Sequence, residues 1–371
     1  MGQIVLTDLK RQYRSIKSEI DSAIKEVIES NSFIKGGFAA DFEKSFSQIT
    51  GSKYSAATGN GTDALYICLK SLGVKSNDEV ITAANSFIAT SEAISMTGAK
   101  VIFADCNRYY TIDPTEIEKK ITSNTKAIIP VHLFGQTAEM EKIKKIADKH
   151  NLFIIEDAAQ AVLSSYSNKP IGSYSSFATY SFFPGKNLGA YGDAGAITTN
   201  NKELAHWCSM YGNHGRTDKY DHKFEGINSR LDGIQAAILN VKLKYIEEWT
   251  KKRKRVAEIY KNELCPISQK SIIMPPTRDG SDHVYHIFAI RADEKERSEL
   301  IKHLNSKGVN TGIHYPIALP LLTAYKHLNH KKEEFPNAVL FSKQLLSLPI
   351  FPELKDDEIK YICDTIKSFY N

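Results

Sequence analysis

The segment KYSAATGNGTDALYICLKSLG, Lys53–Gly73, decides the fold class. Its first half, KYSAATGN, is a short run that predicts a β-strand ending in a glycine turn. Its second half, GTDALYICLKSLG, predicts the α-helix that follows the turn. A strand that passes through a tight turn into a helix is the start of a βαβ unit.

The same alternation of strands and helices continues to about residue 160. The predicted strands are DEVITA, KVIFAD, KAIIPVHLFG and LFIIEDAA, and the predicted helices are SFIATSEAISMTG, DPTEIEKKI and TAEMEKIKKIADKH. This rhythm predicts an α/β protein whose sheet is mixed, mainly parallel and covered by helices on both faces. Before it, Ile16, Ile20, Ile24 and Ile28 recur every four residues and predict a helix with one buried stripe.

The pattern changes towards the C-terminus. A long helical region runs from about Leu231 to Glu263, and after Pro266 the segments HVYHIFAIRA and VNTGIHYP predict strands. EKERSELIKHLNSKG and DEIKYICDTIKSFY predict helices. We therefore expect two domains, a large domain with the N-terminal helix over residues 1–250 and a smaller C-terminal α+β domain over residues 251–371.

Composition argues against several classes of protein. The 371 residues are 42% hydrophobic and 25% charged, with a formal net charge of only +5, which is typical of a globular protein that does not bind nucleic acid. We interpret the basic run KKRKR at 251–255 as a solvated helix face. The five cysteines are widely spaced, which indicates a reducing compartment without a disulfide framework or a metal site. Because no apolar run approaches the roughly 20 residues of a membrane span, and no signal peptide is recognisable, we expect a cytoplasmic protein.

The turn GNGTDAL, residues 59–65, is a candidate phosphate site. Unpaired backbone N–H groups at a helix N-terminus bind anions, glycine allows close approach, and the Thr62 hydroxyl can add a donor. An ordinary capped strand-to-helix turn is an equally good interpretation of this motif alone.

The segment IIEDAAQA, residues 154–161, ends an apolar strand with Glu156 and Asp157. Ligands of open α/β sheets bind at the carboxyl ends of strands, where a carboxylate can hold a proton on a ligand nitrogen. A capping carboxylate is the alternative.

The segment SFFPGKNLGAYGDAGAI, residues 181–197, surrounds Lys186 with glycine and aromatic residues. A desolvated lysine has a lowered pKa and becomes nucleophilic towards a carbonyl, although most loop lysines are simply solvated. Together, an anion site, a strand-end carboxylate and a half-buried amine are what pyridoxal 5'-phosphate (PLP) requires for its phosphate, its pyridine nitrogen and its aldehyde.

At this point the sequence resembles the DegT/DnrJ/EryC1 sugar aminotransferases of PLP fold type I. The resemblance covers nearly the whole chain, and its motifs occur in the family's order: GNGTDAL, ANSFIAT, VHLFGQ, EDAAQA, SFFPGKNLGAYGDAGAI, NSRLDGIQAAIL, GIHYPIALP and SLPIFPEL. It implies a PLP-dependent transaminase that passes through pyridoxamine phosphate and that serves the biosynthesis of deoxyamino sugars for polysaccharides such as O-antigen or for natural products.

The resemblance implies cofactor roles for individual residues. Lys186 would form the Schiff base and move the proton, Asp157 would pair with the pyridine nitrogen, and Gln160 would contact the ring hydroxyl. Phe87 would cover the face of the ring, with a plain core position as the alternative. The phosphate would be held by Gly61, Thr62, Asp63 and Ser181.

The resemblance also implies a homodimer with shared active sites. Asn228 would reach the phosphate of the neighbouring subunit, and capping of the helix near Leu231 is its alternative role. His314 and Tyr315 would lie near the sugar and Arg230 near the nucleotide diphosphate, while a structural histidine is the alternative for His314.

The expected substrates are glutamate, as the amino donor, and a nucleotide-linked keto sugar. Lys186 favours amino transfer, since relatives that dehydrate sugars carry histidine there. The sequence NSRLD at 228–232 resembles relatives that aminate C-3, so a dTDP-linked 3-keto-6-deoxyhexose is the first expectation. Phe183 stands where many relatives carry a tyrosine near the sugar. A dTDP- or UDP-linked 4-keto sugar and a UDP-linked 3-keto uronic acid remain alternatives.

Two other classes were considered. A nucleotide-binding oxidoreductase would need GxGxxG after the first strand, which GNGTDAL does not provide. A catalytically inactive homologue acting as a binding protein is disfavoured, because the lysine, the aspartate and the phosphate turn are all intact.

Overall fold

The computed structural model describes residues 2–370, which contain twelve α-helices and thirteen strands. The strands are β1 (Tyr54–Thr58), β2 (Glu79–Ala83), β3 (Lys100–Ala104), β4 (Thr125–Ile129), β5 (Phe153–Asp157), β6 (Ser165–Tyr166), β7 (Lys169–Pro170), β8 (Phe177–Ser181), β9 (Gly195–Thr199), β10 (Ile272–Ile273), β11 (Ser281–Asp282), β12 (Phe288–Ala292) and β13 (Leu345–Leu348). The helices are α1 (Leu9–Glu29), α2 (Gly37–Ile49), α3 (Gly61–Ser71), α4 (Ala89–Met96), α5 (Pro114–Lys120), α6 (Met140–His150), α7 (Lys202–Tyr211), α8 (Gly233–Leu243), α9 (Ile246–Leu264), α10 (Glu294–Ser306), α11 (Pro336–Gln344) and α12 (Asp356–Tyr370).

A seven-stranded sheet forms the centre of the large domain, in the order β1–β9–β8–β5–β4–β2–β3. Pairing is parallel from β8 through β5, β4 and β2 to β3, whereas β9 is antiparallel to both of its neighbours. The helices that connect the parallel strands bury apolar faces against the sheet, as crossover connections require. The prediction of an α/β fold with a mixed, mainly parallel sheet is confirmed.

The strand ends determine where the site lies. Asp157 is the last residue of β5 and Ser181 is the last residue of β8, and these two strands are parallel neighbours. The first strand leads through Gly59 and Asn60 into α3. Because the carboxyl ends of parallel strands share one edge of the sheet, the three predicted motifs are brought to that edge.

The C-terminal part has its own sheet and core. Strands β10, β12 and β13 pair antiparallel, and a cluster of buried apolar residues joins α9, α10 and α12 to them. Ile4 from the N-terminus packs in the same cluster and pairs with Val309. The boundary between residues 250 and 251 remains a prediction and falls within α9.

Three local predictions were wrong. The long helical region from Leu231 is two helices, α8 and α9. VNTGIHYP forms only single bridges, at Val309 and Gly312, and is otherwise irregular because it bends past the edge of the large sheet. In the basic run, Arg253 is buried and donates to the carbonyl of Ile350 at 2.9 Å.

The stripe predicted along the first helix is only half correct. Ile16 and Ile20 are buried, but Ile28 is 53% exposed and Val27 is buried instead. A step of four residues overshoots one turn of an α-helix by about 40°, so the stripe drifts around the helix. A non-helical backbone at Ile16 bends the helix further.

Candidate active site

A cavity of about 580 Å³ opens at the carboxyl edge of the large sheet. Its lining comes from both parts of the chain and includes ten of the thirteen residues predicted for the site. These are Gly61, Thr62, Phe87, Asp157, Gln160, Ser181, Phe183, Lys186, His314 and Tyr315.

The start of α3 forms one end of the cavity. The Asn60 side chain caps the helix by accepting the Asp63 backbone N–H at 2.8 Å. The N–H groups of Gly61 and Thr62 precede the first intrahelical hydrogen bond, which runs from Ala64 to the Asn60 carbonyl. Both residues line the cavity, so this end can hold an anion such as phosphate.

Glycine at position 61 is required by a close approach. A Cβ atom added there would lie 2.8 Å from the Cβ of Ser181. The start of α3 therefore sits directly against the end of β8, and the Ser181 hydroxyl reaches the same end of the cavity. The sequence motif GNGTDAL thus acts as an anion site as well as an ordinary capped turn.

Asp157 faces the cavity with its carboxylate held from two sides. The hydroxyl of Thr90, at the start of α4, donates to Oδ2 at 2.7 Å, and the backbone N–H of Ala159 donates to Oδ1 at 3.1 Å. Only 4% of Asp157 is exposed. The carboxylate is therefore fixed in place and can accept a proton from a ring nitrogen in the cavity.

Glu156 serves a structural role on the other face of the sheet, because side chains alternate along a strand. It is buried and accepts hydrogen bonds from Gly172 N–H at 2.9 Å and the Ser175 hydroxyl at 2.6 Å. The ring of His132 lies 2.8 Å from its other oxygen. Since His132 Nδ1 accepts the Ala138 N–H at 3.2 Å, the proton on His132 is at Nε2 and points to Glu156.

Lys186 lies in a tight turn between β8 and β9. Its backbone N–H donates to the Phe183 carbonyl at 2.8 Å, and its side chain is half-buried in the cavity. Burial lowers the pKa of Lys186 to about 8, although the charge of Asp157 opposes the shift. A substantial fraction of neutral amine, which is the nucleophilic form, is therefore present near pH 7.

Gln160 connects the two parts of the chain across the cavity. Its Oε1 accepts the Phe134 backbone N–H at 2.7 Å, and its Nε2 donates to the Tyr315 hydroxyl at 3.1 Å. Phe87 is 55% exposed at the cavity and packs 5.8 Å from the Tyr315 ring. The alternative of a core position for Phe87 is wrong, since its ring is available to cover a flat ligand.

His314 and Phe183 line the substrate side of the cavity. His314 Nδ1 bonds to the Ser347 hydroxyl at 2.8 Å, and burial together with the charge of Lys186 lowers its pKa to about 4. His314 is thus both hydrogen-bonded within the protein and accessible from the cavity. Phe183 is 57% exposed at the mouth.

Three predicted residues lie outside the cavity lining. Asp63 is engaged with Asn60 through its N–H and its carboxylate, so it supports the helix start without facing the cavity. Asn228 is exposed and bridges Asn213, and Arg230 donates to the same residue at 3.4 Å. The alternative that Asn228 caps the next helix is wrong, because α8 begins at Gly233 with Asp232 as its N-cap.

Sequence reasoning did not single out Asn60, Thr90 and His286. The first two lie inside quoted motifs, GNGTDAL and ANSFIAT, where capping preference and the hydroxyl could have identified them. His286 carries no local signal, because only the folding of the C-terminal part brings it to the cavity.

These features fit PLP. The start of α3 can hold the phosphate, Asp157 can hold the proton on the pyridine nitrogen, and Lys186 is the amine for the aldehyde, all within one cavity. The fold and the site therefore define a PLP-dependent aminotransferase. The chain belongs to the DegT/DnrJ/EryC1/StrS aminotransferase family, whose profile matches residues 14–367.

Curated relatives agree with this assignment over almost the whole chain. A dTDP-3-amino-3,6-dideoxy-alpha-D-galactopyranose transaminase of Aneurinibacillus thermoaerophilus is 40% identical over 99% of this chain and 99% of its own length. A "pleiotropic regulatory protein" of Geobacillus stearothermophilus is 43% identical over 99% of this chain and 98% of its own.

Solved structures agree as well. The S. venezuelae DesV structure, in complex with a ketimine intermediate, superposes with a TM-score of 0.96 at 37% identity and covers 100% of this chain and 99% of that one. The Bacillus subtilis NtdA structure, with bound pyridoxamine phosphate, gives 0.89 at 33% identity over 96% of this chain and 82% of that one. The predictions of a fold type I sugar aminotransferase and of PLP as its cofactor are confirmed.

Two searches of residues 2–370 found nothing. No helix in that range is long and apolar enough to cross a membrane. Nor does the range contain a group of three or more histidine, cysteine, aspartate or glutamate residues that could hold a metal ion.

Proposed function

We propose that this aminotransferase moves the amino group of glutamate to C-3 of a dTDP-linked 3-keto-6-deoxyhexose. The observation that carries the proposal is the meeting of Lys186 and Asp157 in one cavity with the start of α3. A lysine at position 186 supplies the amine that transamination needs, which a histidine could not.

The chain's own residues supply binding and proton transfer. When bound, PLP supplies an electron sink for the charge left on the substrate carbon. Asp157 keeps the proton on the pyridine nitrogen, and the neutral Nζ of Lys186 accepts the proton from the substrate carbon and returns it during each half of the reaction. Glutamate leaves as 2-oxoglutarate before the keto sugar enters, so the kinetics are ping-pong.

Two observations support the choice of C-3 and of dTDP. The segment NSRLD at 228–232 resembles relatives that act at C-3. The relative from Aneurinibacillus thermoaerophilus is named for a dTDP-linked 3-amino-dideoxy sugar.

A homodimer with shared sites is part of the proposal. Within residues 2–370, the cavity lining contains no arginine and no lysine except Lys186. Phosphate and a nucleotide diphosphate both carry negative charge, so further donors are needed. Asn228 and Arg230 lie outside the cavity of their own chain and are suitable to complete the site of a second copy.

The test is a panel of nucleotide-linked 3-keto and 4-keto sugars, in dTDP and UDP forms, incubated with glutamate and analysed by mass spectrometry. The proposal predicts that the dTDP-linked 3-keto-6-deoxyhexose gains the amino group with the highest kcat/KM. Preferred amination of a 4-keto sugar or of a UDP-linked 3-keto uronic acid would replace the C-3, dTDP assignment.

A further inference from the structure

His286 is a cavity residue without an assigned role. It lies two residues before β12, is half-buried and lines the cavity together with Lys186. Its Nδ1 lies 3.1 Å from Oδ1 of Asn187, the residue that directly follows Lys186. The ring is therefore attached to the segment that carries the reactive amine.

The hydrogen bonds around Asn187 determine which nitrogen of His286 carries the proton. Asn187 Nδ2 donates to the carbonyl of Val284 at 3.3 Å, so its Oδ1 is the atom that faces the imidazole. A carbonyl oxygen only accepts, and His286 Nδ1 must therefore be the protonated nitrogen. The reverse amide orientation would place two carbonyl oxygens against each other.

The second nitrogen of His286 is then an acceptor. Burial, with the charges of Lys186, Arg253 and His314, lowers the pKa of His286 well below its ordinary value, so the ring is neutral near pH 7. Within residues 2–370, Nε2 has no hydrogen-bond partner. A neutral acceptor of this kind suits a hydroxyl group and does not suit a carboxylate, which has no proton to donate.

We propose that His286 is a specificity-determining residue whose Nε2 accepts a hydrogen bond from a sugar hydroxyl on a carbon next to the reacting carbon. The position follows from the attachment of His286 to the residue after Lys186, because groups beside the reactive amine contact substituents beside the carbon that receives the amino group. The inference rests on the proposed function. For amination at C-3, the neighbouring hydroxyls are those on C-2 and C-4.

Two substitutions separate the acceptor from the support of Asn187. His286→Asn places an amide N–H near the position of Nδ1, which preserves the contact to Asn187 while removing the acceptor. His286→Gln places an amide oxygen near the position of Nε2, which restores an acceptor. His150→Gln, on the exposed end of α6, is the matched control.

The experiment follows the visible spectrum of the PLP-loaded enzyme as an amino sugar converts it to the pyridoxamine form. The probes are dTDP-3-amino-3,6-dideoxyglucose and its 2-deoxy and 4-deoxy analogues. The wild type and His150→Gln should lose about tenfold or more in kcat/KM with at least one deoxy analogue, the effect of one hydrogen bond. His286→Asn should react with the parent and that analogue at nearly equal kcat/KM, and His286→Gln should recover part of the preference.

The outcomes separate this inference from the proposed function. If no amino sugar converts the wild type while glutamate does, the proposed function fails and the inference fails with it. If the sugars react but the wild type shows no preference, or the preference survives in His286→Asn, only the inference is overturned.

A second measurement tests the proton position without turnover. Long-range ¹H–¹⁵N spectra of histidine-labelled holoenzyme should show, for the signals missing in His286→Asn, a protonated Nδ1 and an unprotonated Nε2. A proton on Nε2, or on both nitrogens, near pH 7 would contradict the inference.

Discussion

Lys186 shows how one residue acquires a function from its surroundings. A solvated lysine is almost entirely charged at pH 7, whereas the half-buried Lys186 has its pKa lowered to about 8. The neutral fraction at pH 7 rises from roughly 0.03% to about 10% as a consequence of that shift. The glycine and aromatic residues around it are the means of desolvation.

The lowered pKa makes a prediction about cofactor capture. The rate at which the apoprotein captures PLP, followed by visible absorbance, should rise about tenfold per pH unit and level off above about pH 8, where the amine is already neutral. A lysine peptide measured alongside should continue to rise towards its own pKa near 10.5. Continued increase through pH 10 for the protein would show that Lys186 has an ordinary pKa.

Asp157 makes the second prediction at this scale. Asp157→Asn should still capture PLP through Lys186 but should turn over about 100- to 1,000-fold more slowly, because the amide cannot hold the proton on the pyridine nitrogen. Thr90→Val, which removes only the hydrogen bond to Oδ2, should cost about tenfold. Both losses are measured as kcat with glutamate and a keto sugar. Equal, small losses for the two variants would remove Asp157 from its assigned role.

At the scale of elements, the start of α3 and the end of β8 form the phosphate site only because they touch. Gly61→Ala would place a methyl group 2.8 Å from the Cβ of Ser181 and would force the two apart. We expect the dissociation constant for PLP to rise about tenfold or more, the effect of about 1–3 kcal/mol of overpacking.

Gly37→Ala is the matched control for this prediction. Gly37 is also the first residue of a helix, α2, and a Cβ added there would meet no atom within 4 Å. Its affinity for PLP, measured by absorbance titration, should be that of the wild type. If Gly61→Ala binds PLP equally well, the close approach of the two elements is not what forms the site.

For the whole molecule, shared active sites predict complementation between two inactive chains. Lys186→Ala removes the reactive amine, and Asn228→Asp places a negative charge where we expect the phosphate of the partner's cofactor. Mixed in equal amounts under conditions of subunit exchange, the two variants should recover about a quarter of wild-type activity, because half of the dimers contain one intact site. Activity no greater than that of the separate variants would contradict a shared site.

The sequence predicted the large sheet and the motifs well, because each rests on local signals. Strand-end residues such as Asp157 and helix starts such as Gly61 are fixed by short patterns of apolar residues and glycine. It did not predict Thr90 or His286, whose importance depends on contacts between distant segments. The stripe ending at Ile28 failed for a related reason, since a local repeat does not reveal where a helix bends.

The central claim is that Lys186 is the amine that bonds to PLP, and borohydride reduction tests it most directly. Lys242 is a demanding internal comparison, because burial lowers its pKa to about 7 and its Nζ is fully buried against the Gly189 carbonyl at 2.6 Å. Reduction of the yellow holoenzyme, digestion and mass spectrometry should find the cofactor on the peptide containing Lys186. Cofactor bound to Lys242 or to another lysine, or a protein that never retains PLP, would contradict the account.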